Sequence, residues 1–479
     1  MQEAHHFIGN RWVAPAQEQT IPVLDPSDGQ PFAVLARGSA ADIDAAVQAA
    51  RAACEAAWGN SSAAERSRVL FRLAALLAEQ QDALAHIEAR DTGKPLKQAR
   101  ADAAAVVRYF EFYAGAADKL HGQTIPYQTG YTVLTLREPH GVTGHIIPWN
   151  YPLQIFGRSV GAALAAGNAC VVKPAEDACL SLLKLAELAQ QAGLPDGALN
   201  IVTGYGHEAG AALARHPGID HISFTGSPQT GKLVTQMAAE NHVPVTLELG
   251  GKSPQIVFAD ADMDAVLPVV VNAIVQNAGQ TCSAGSRLLV ERSAYEPLLD
   301  RLGQAFEALQ VGPAMLDLDC GPLISAKQQQ RVWDFLSDAQ HDGIAMLAHG
   351  QVVPEAPEAG FYQAPTLLRD VPPSHRLARE EVFGPVLAAM PFEQESDALQ
   401  LANGTPFGLV AGIWTRDGAR QLRLARRLRS GQVFINNYGA GGGVELPFGG
   451  VKHSGHGREK GFEALYGFTT LKTIAIRHD

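Results

Sequence analysis

The chain has 479 residues, a formal net charge of −11 and 46% hydrophobic residues. That length exceeds one small core and implies two domains of ordinary size, while an acidic balance without a basic cluster weighs against nucleic acid or an anionic membrane surface as partner. No apolar run reaches the roughly 18 residues of a membrane span, Met1 to His6 lack a signal-peptide pattern, and five cysteines at irregular spacings form no disulfide framework, so a reducing cytoplasm fits.

The predicted elements begin with helices. Alanine-rich residues 42–58 carry apolar positions at helical spacing, and residues 63–90 repeat the pattern. Asp91-Thr92-Gly93-Lys94-Pro95 breaks it, and residues 99–120 form a third helical stretch. Residues 131–136 read as a β-rich arm between Gly130 and Pro139. From about residue 140 short apolar strands alternate with helices: strands at 142–147, 169–172, 198–202, 221–224 and 243–247, helices at 153–166, 181–191 and 207–215. Such alternation implies a mainly parallel sheet covered on both faces, with ligands at the carboxyl ends of the strands. A second run starts near Pro254 with a strand at 255–258, a helix at 263–276 and a strand at 288–291. The fold class is α/β, two doubly wound parallel-sheet domains with a small β arm.

Cys282 lies in Gly279-Gln280-Thr281-Cys282-Ser283-Ala284-Gly285, small and polar residues that leave its sulfur reachable. Glu248 ends an apolar run in Leu247-Glu248-Leu249-Gly250-Gly251-Lys252. A thiol and a partly desolvated carboxylate are the parts needed for covalent catalysis followed by hydrolysis. Read singly, a buried free cysteine and an ordinary strand-end glutamate are the plainer accounts. Gly204-Tyr205-Gly206 with Gly210 follows a strand, but the last interval is one residue too long for the dinucleotide fingerprint. Phe224-Thr225-Gly226-Ser227 closes the next strand ahead of a helix, where backbone N–H groups and the Ser227 hydroxyl can receive a phosphate. His216, His221, His453 and His456 read as loop residues, and no metal site is expected.

These segments gain meaning from their order. Pro148-Trp149-Asn150-Tyr151-Pro152, Lys173-Pro174-Ala175-Glu176, the Ser227, Glu248 and Cys282 motifs, Glu381-Val382-Phe383-Gly384-Pro385 and Pro447-Phe448-Gly449-Gly450 succeed one another along nearly the whole chain. This arrangement resembles the NAD(P)-dependent aldehyde dehydrogenase superfamily, of the non-phosphorylating, acid-producing kind. The resemblance implies a Rossmann-like NAD-binding domain at 1–118 and 139–249, a catalytic domain at 250–450, and an oligomerisation arm at 119–138 and 465–479. It implies that Cys282 attacks the aldehyde, that Asn150 and the Cys282 N–H hold the oxyanion, and that Glu248 activates the water that hydrolyses a thioester. It places Lys173 and Glu176 at the adenine ribose, Gly226 and Ser227 at the pyrophosphate, Glu381 at the nicotinamide ribose and Phe383 against the nicotinamide, with Trp149 and Gly206 alongside. Glu176 favours NAD, with NADP as the weaker alternative, because a carboxylate repels a 2′-phosphate. Glu459 aligns with a second acidic residue that relays protons, a surface glutamate being the alternative. Lys252 reads as structural. A homodimer or homotetramer is expected, with the arm and the C-terminal strand pairing across subunits.

Tyr151 and Ile155 share a helical face after Asn150, and Arg158 is one step further. Arginine there resembles succinate-semialdehyde dehydrogenases and some aromatic aldehyde dehydrogenases, and a guanidinium can grip a carboxylate or a phenolic oxygen. A packing or surface arginine is the alternative. Gly441, Gly442 and Gly443 stand where many relatives carry an aromatic, which implies a roomy tunnel mouth for a bulky aldehyde. Glu445 either attracts a cationic aminoaldehyde, as in betaine-aldehyde-like enzymes, or pairs with an arginine. A CoA-acylating relative and a non-enzymatic binding protein on the same fold are the remaining alternatives; Glu248 speaks against the first and the intact catalytic set against the second.

Overall fold

The computed structural model describes residues 4–439 and 443–478. Gly441 and Gly442, on which the roomy mouth partly rested, lie outside the described residues.

Two sheets carry the architecture. The first runs in the order Arg11–Val13, His6–Ile8, Leu199–Ile201, Ala169–Pro174, Val142–Ile147, His221–Thr225, Val245–Glu248, Gly455–His456. Its five central strands are parallel, and antiparallel strands close both edges. The central strands are buried along their whole length or nearly so, as expected where helices cover both faces. Strand register positions the loops beyond them. Phe224 pairs with Ile146, Ile146 with Lys173, and Thr225 with Glu248. The turns that carry Asn150, Glu176 and Ser227 therefore leave the same sheet edge beside Glu248.

The second sheet runs Met346–His349, Thr366–Leu368, Val386–Phe392, Arg287–Glu291, Pro254–Val257, Val410–Trp414, Gln432–Ile435, parallel except at its first strand. Cys282 precedes the strand Arg287–Glu291, and the Glu381–Pro385 segment precedes Val386–Phe392. The site thus faces the carboxyl edge of the first sheet and the amino edge of the second. The rule for open parallel sheets locates only the first of these.

The predicted helices are present with adjusted limits. Residues 63–90 form two helices, Ala63–Glu79 and Gln81–Thr92, parted at Gln80, and the first opens on a Ser62–Glu65 capping box. The stretch 207–215 opens as a π turn, Gly206–Gly210, before the short helix Ala211–Arg215. The N-terminal region also holds strands that periodicity does not reveal, including the hairpin Thr20–Leu24 with Pro31–Ala36. His221 and His456 lie in strands rather than loops, and His221 is buried. The strand Thr469–Arg477 pairs antiparallel with Tyr131–Pro139 along its whole length, within one chain. The expected arm is therefore first an intrachain sheet, with Thr469–Arg477 at its outer edge.

Candidate active site

The loop before Cys282 is bent by three consecutive residues in the left-handed region, Asn277 (φ 49°), Ala278 (φ 53°) and Gly279 (φ 71°). Such backbone persists where surrounding contacts over-determine it. Here the Gln280 side chain donates to Asn277 O at 3.1 Å and accepts from Ile324 N at 2.9 Å, and the Tyr438 hydroxyl donates to Ser283 O at 2.7 Å. A Cβ on Gly279 would lie 2.2 Å from the Gly384 carbonyl, so the Cys282 and Glu381 motifs touch through their glycines. Cys282 is half-buried. Burial pushes its thiol up to about 11, against the pull of the Arg158 guanidinium.

Asn150 is buried at the turn between the strand Val142–Ile147 and the helix Pro152–Ala166. One Nδ2 hydrogen bonds Gln280 O at 2.9 Å, which fixes the amide beside the nucleophile loop and leaves its second N–H for a ligand. The Asn150 carbonyl accepts from Asn277 Nδ2 at 2.9 Å and from Lys94 Nζ at 2.9 Å. Lys94 is fully buried; it also donates to Glu88 at 3.0 Å and pairs with Asp102. Glu88 in turn accepts from Leu153 N and from the Ser181 hydroxyl. This cluster ties three helices to the Asn150 turn. In the sequence Lys94 reads only as part of a helix break, because its partners are distant along the chain and loop residues have no period.

Glu248 is buried, and neither carboxylate oxygen has a hydrogen-bond partner among the described residues. Burial first, then the charge of Glu459, raise it well above the usual carboxylate range. A Cβ on Gly449 would lie 2.7 Å from Glu248 Oε1, so the Pro447–Gly450 motif packs directly on this carboxyl. Glu459 is fully buried rather than at the surface; it accepts from the Ser223 hydroxyl at 2.7 Å and forms an ion pair with Arg158. Arg158 is buried too, donates to Thr225 Oγ1 at 3.3 Å, and so carries its own carboxylate partner inside the fold.

A cavity of about 360 Å³ is lined by Asn150, Tyr151, Ile155, Arg158 and Cys282 among others. Its wall is rich in polar side chains that the sequence motifs do not single out, including Gln98, Asp102, Gln154, Gln432 and Lys460. Tyr151 is held by a 2.8 Å hydrogen bond with Thr281. Glu445 pairs with Arg108 at 2.5 Å, and both are exposed, which favours the arginine-pairing reading of that residue.

The predicted cofactor residues lie at the carboxyl edge of the first sheet, except Glu381 and Phe383, which precede a strand of the second. Lys173 Nζ donates to Glu176 at 2.7 Å, and Glu176 also accepts from Gly206 N at 3.4 Å. Burial works against the Glu176 charge, but Lys173 and backbone N–H hydrogen bonds together hold the carboxyl below its usual range. Ser227 caps the helix Pro228–Ala239, with its hydroxyl accepting from Thr230 N at 3.2 Å. Trp149 and Phe383 meet edge to face at 5.4 Å, and Phe383 holds a φ of 60°. Glu381 accepts from Gly251 N at 2.9 Å, and a Cβ on Gly250 would overlap its carboxylate at 2.2 Å. Burial lifts Glu381 to about 7. An exposed helix N-terminus for phosphate, an anionic carboxylate for a ribose diol and a second carboxyl near the thiol fit a dinucleotide. Lys252 is buried with no hydrogen-bond partner for Nζ among the described residues, and burial brings it down to about 7. No group of side chains suited to a metal ion occurs among the described residues.

The α/β fold brings a half-buried thiol, a buried carboxyl and a helix N-terminus to the place where its two sheets meet, an arrangement that suits an oxidoreductase. The aldehyde dehydrogenase family profile matches residues 12–474, and the chain belongs to that family. It is 43% identical over 477 residues to the NADP/NAD-dependent aldehyde dehydrogenase PuuC of Escherichia coli, covering 98% of this chain and 95% of PuuC. A crystal structure of a candidate aldehyde dehydrogenase from Burkholderia cenocepacia is 81% identical, with a TM-score of 0.99 over 99% of this chain and 100% of that one. The NAD+ complex of an aldehyde dehydrogenase from Bacillus cereus is 40% identical, with a TM-score of 0.96 over 100% of this chain and 97% of that one.

Proposed function

We propose that the protein oxidises an aldehyde to its carboxylic acid with NAD, through a covalent intermediate on Cys282. Family membership carries the reaction class, and the observation that carries the residue roles is one cavity bounded by Cys282 and Asn150, with the buried Glu248 carboxyl coupled electrostatically to the thiol. The Cys282 thiolate adds to the carbonyl carbon, and the free N–H of Asn150 with the Cys282 backbone N–H receives the oxyanion. Glu248, whose raised affinity for protons makes it a strong base, takes a proton from water as that water attacks the resulting thioester. The chemistry a bound NAD supplies is acceptance of the hydride that leaves the tetrahedral carbon between these two steps. Lys173, Glu176, Gly206, Gly226, Ser227, Trp149, Glu381 and Phe383 hold it, and the anionic Glu176 favours NAD over NADP.

The substrate class is an aldehyde with a polar or anionic tail, a semialdehyde or a hydroxylated aromatic aldehyde. The polar cavity wall, with the buried Arg158 in it, supports this reading. An aminoaldehyde fits less well, since Glu445 is taken up by Arg108. The outer edge of Thr469–Arg477 supports a homodimer or homotetramer, and five free cysteines support a reducing, cytoplasmic setting. NADH formation across neutral, anionic and cationic aldehydes, with product analysis with and without coenzyme A, tests the proposal. Acid production independent of coenzyme A is expected. Acyl-CoA as the product, or no NADH with any aldehyde, would overturn it.

A further inference from the structure

Gln154 and Arg158 lie one turn apart on the helix Pro152–Ala166, and both line the cavity that contains Cys282. Gln154 Nε2 donates to Asp102 Oδ1 at 2.6 Å. A carboxylate only accepts, so this contact settles which end of the amide is which. The Gln154 Oε1 is left as an acceptor with no hydrogen-bond partner among the described residues. Asn272 and Gln276 bring further uncharged amides to the same cavity. An unpaired carbonyl oxygen in a half-buried wall favours a ligand that donates a hydrogen bond, and a carboxylate tail has no proton to offer. The charges beside Gln154 are paired within the fold, Asp102 with Lys94 and Arg158 with Glu459. A charged tail of either sign therefore gains no counter-ion from these pairs while it loses water, whereas a hydroxyl donates without that cost.

We propose that Gln154 determines specificity, its Oε1 accepting a hydrogen bond from a hydroxyl on the tail of an uncharged aldehyde whose aldehyde carbon meets Cys282. This deepens, and rests on, the aldehyde-oxidising reading, and among the polar tails of that reading it selects the hydroxylated one. The hydroxyl is the shared chemistry of hydroxylated aromatic and short hydroxylated aliphatic aldehydes, and the cavity of about 360 Å³ limits the spacer to a few carbons or one ring. Asp102 orients the amide while Gln154 makes the contact.

The test compares kcat/KM in the wild type, Gln154→Met and Gln154→Leu for 3-hydroxybenzaldehyde against 3-methoxybenzaldehyde, and for 3-hydroxypropanal against 3-methoxypropanal and 3-aminopropanal. Methylation removes the donor and keeps the oxygen, and both variants keep an unbranched or apolar side chain without the acceptor. Loss of one neutral hydrogen bond lowers the hydroxyl-to-ether ratio by roughly 3- to 10-fold in the variants, in KM rather than kcat. The pair that shows the drop, aromatic or aliphatic, identifies the source of the hydroxyl. Calorimetric binding of 3-hydroxybenzyl alcohol and of its methyl ether to the same proteins gives a readout without turnover. Ratios within about twofold of the wild type in both pairs overturn the proposal. So does a larger loss for 3-aminopropanal than for 3-hydroxypropanal, which makes the tail a cation. If the wild type oxidises these aldehydes and the ratios ignore Gln154, this inference falls and the aldehyde-oxidising reading stands. If no aldehyde yields NADH but binding of the hydroxybenzyl alcohol depends on Gln154, the reading falls and the hydroxyl site stands.

Discussion

Replacing Lys94 by methionine should damage both the fold and the chemistry. Lys94 is buried against Glu88 and Asp102 and donates to the Asn150 carbonyl. Removing the cation leaves two carboxylates without it in a desolvated site, and breaking a buried pair in this way costs about 3–5 kcal/mol. The pH dependence has a definite sign. Burial already pushes Glu88 up to about 7, with Lys94 opposing. A folded-state affinity above the unfolded one means that stability falls as pH rises through that window, and removing Lys94 pushes Glu88 higher and widens it. The gap between the wild type and Lys94→Met should therefore be small near pH 5 and grow toward pH 8. Turnover should also fall, by at most roughly 100- to 1,000-fold, because loss of an oxyanion donor sets the upper bound and Lys94 acts only by positioning Asn150. Urea unfolding across pH gives the first quantity. Steady-state kcat in a Lys94→Met and Asn150→Ala double-mutant cycle gives the second, and the Lys94 effect on kcat should vanish once Asn150 is alanine. Lys94→Met with wild-type unfolding midpoints at pH 8, or a kcat deficit that persists unchanged without Asn150, would refute this reasoning.

The charges around the site set two further outcomes. Alkylation of Cys282 by iodoacetamide in the cofactor-free protein should rise about tenfold per pH unit and level off only near pH 11, since burial holds the thiol protonated; a plateau by pH 8 would contradict it. Glu176→Gln should raise kcat/KM with NADP relative to NAD by about tenfold or more, because the repelling charge near the ribose is removed; an unchanged ratio would place the 2′ position elsewhere.

The central parallel sheet is legible in the sequence because its strands are continuous apolar runs, and their register is what carries Asn150, Lys173, Ser227 and Glu248 to one edge. Cys282 stands out by its polar flanks. The features that stay hidden depend on partners far away along the chain. Arg158 alone reads equally as a substrate grip or a packing residue, and only the folded chain brings Glu459 to it. Glu459, read as relay or surface residue, is buried by the return of the C-terminal segment, where Phe448 and Glu459 form an antiparallel bridge. The first strands are three residues long at a sheet edge, too short for a period to show. Lys94 and Lys460 escape for a related reason, as loop lysines read as solvated until burial shows otherwise.

The most direct measurement is rapid-mixing NADH formation by the wild type, Cys282→Ala and Glu248→Gln with one aldehyde, paired with intact-protein mass. Glu248→Gln should release about one equivalent of NADH per site and then stall with an acyl group on Cys282, while Cys282→Ala makes none. Steady turnover by Glu248→Gln at the wild-type rate, or NADH from Cys282→Ala, would contradict a thioester on Cys282 hydrolysed through Glu248.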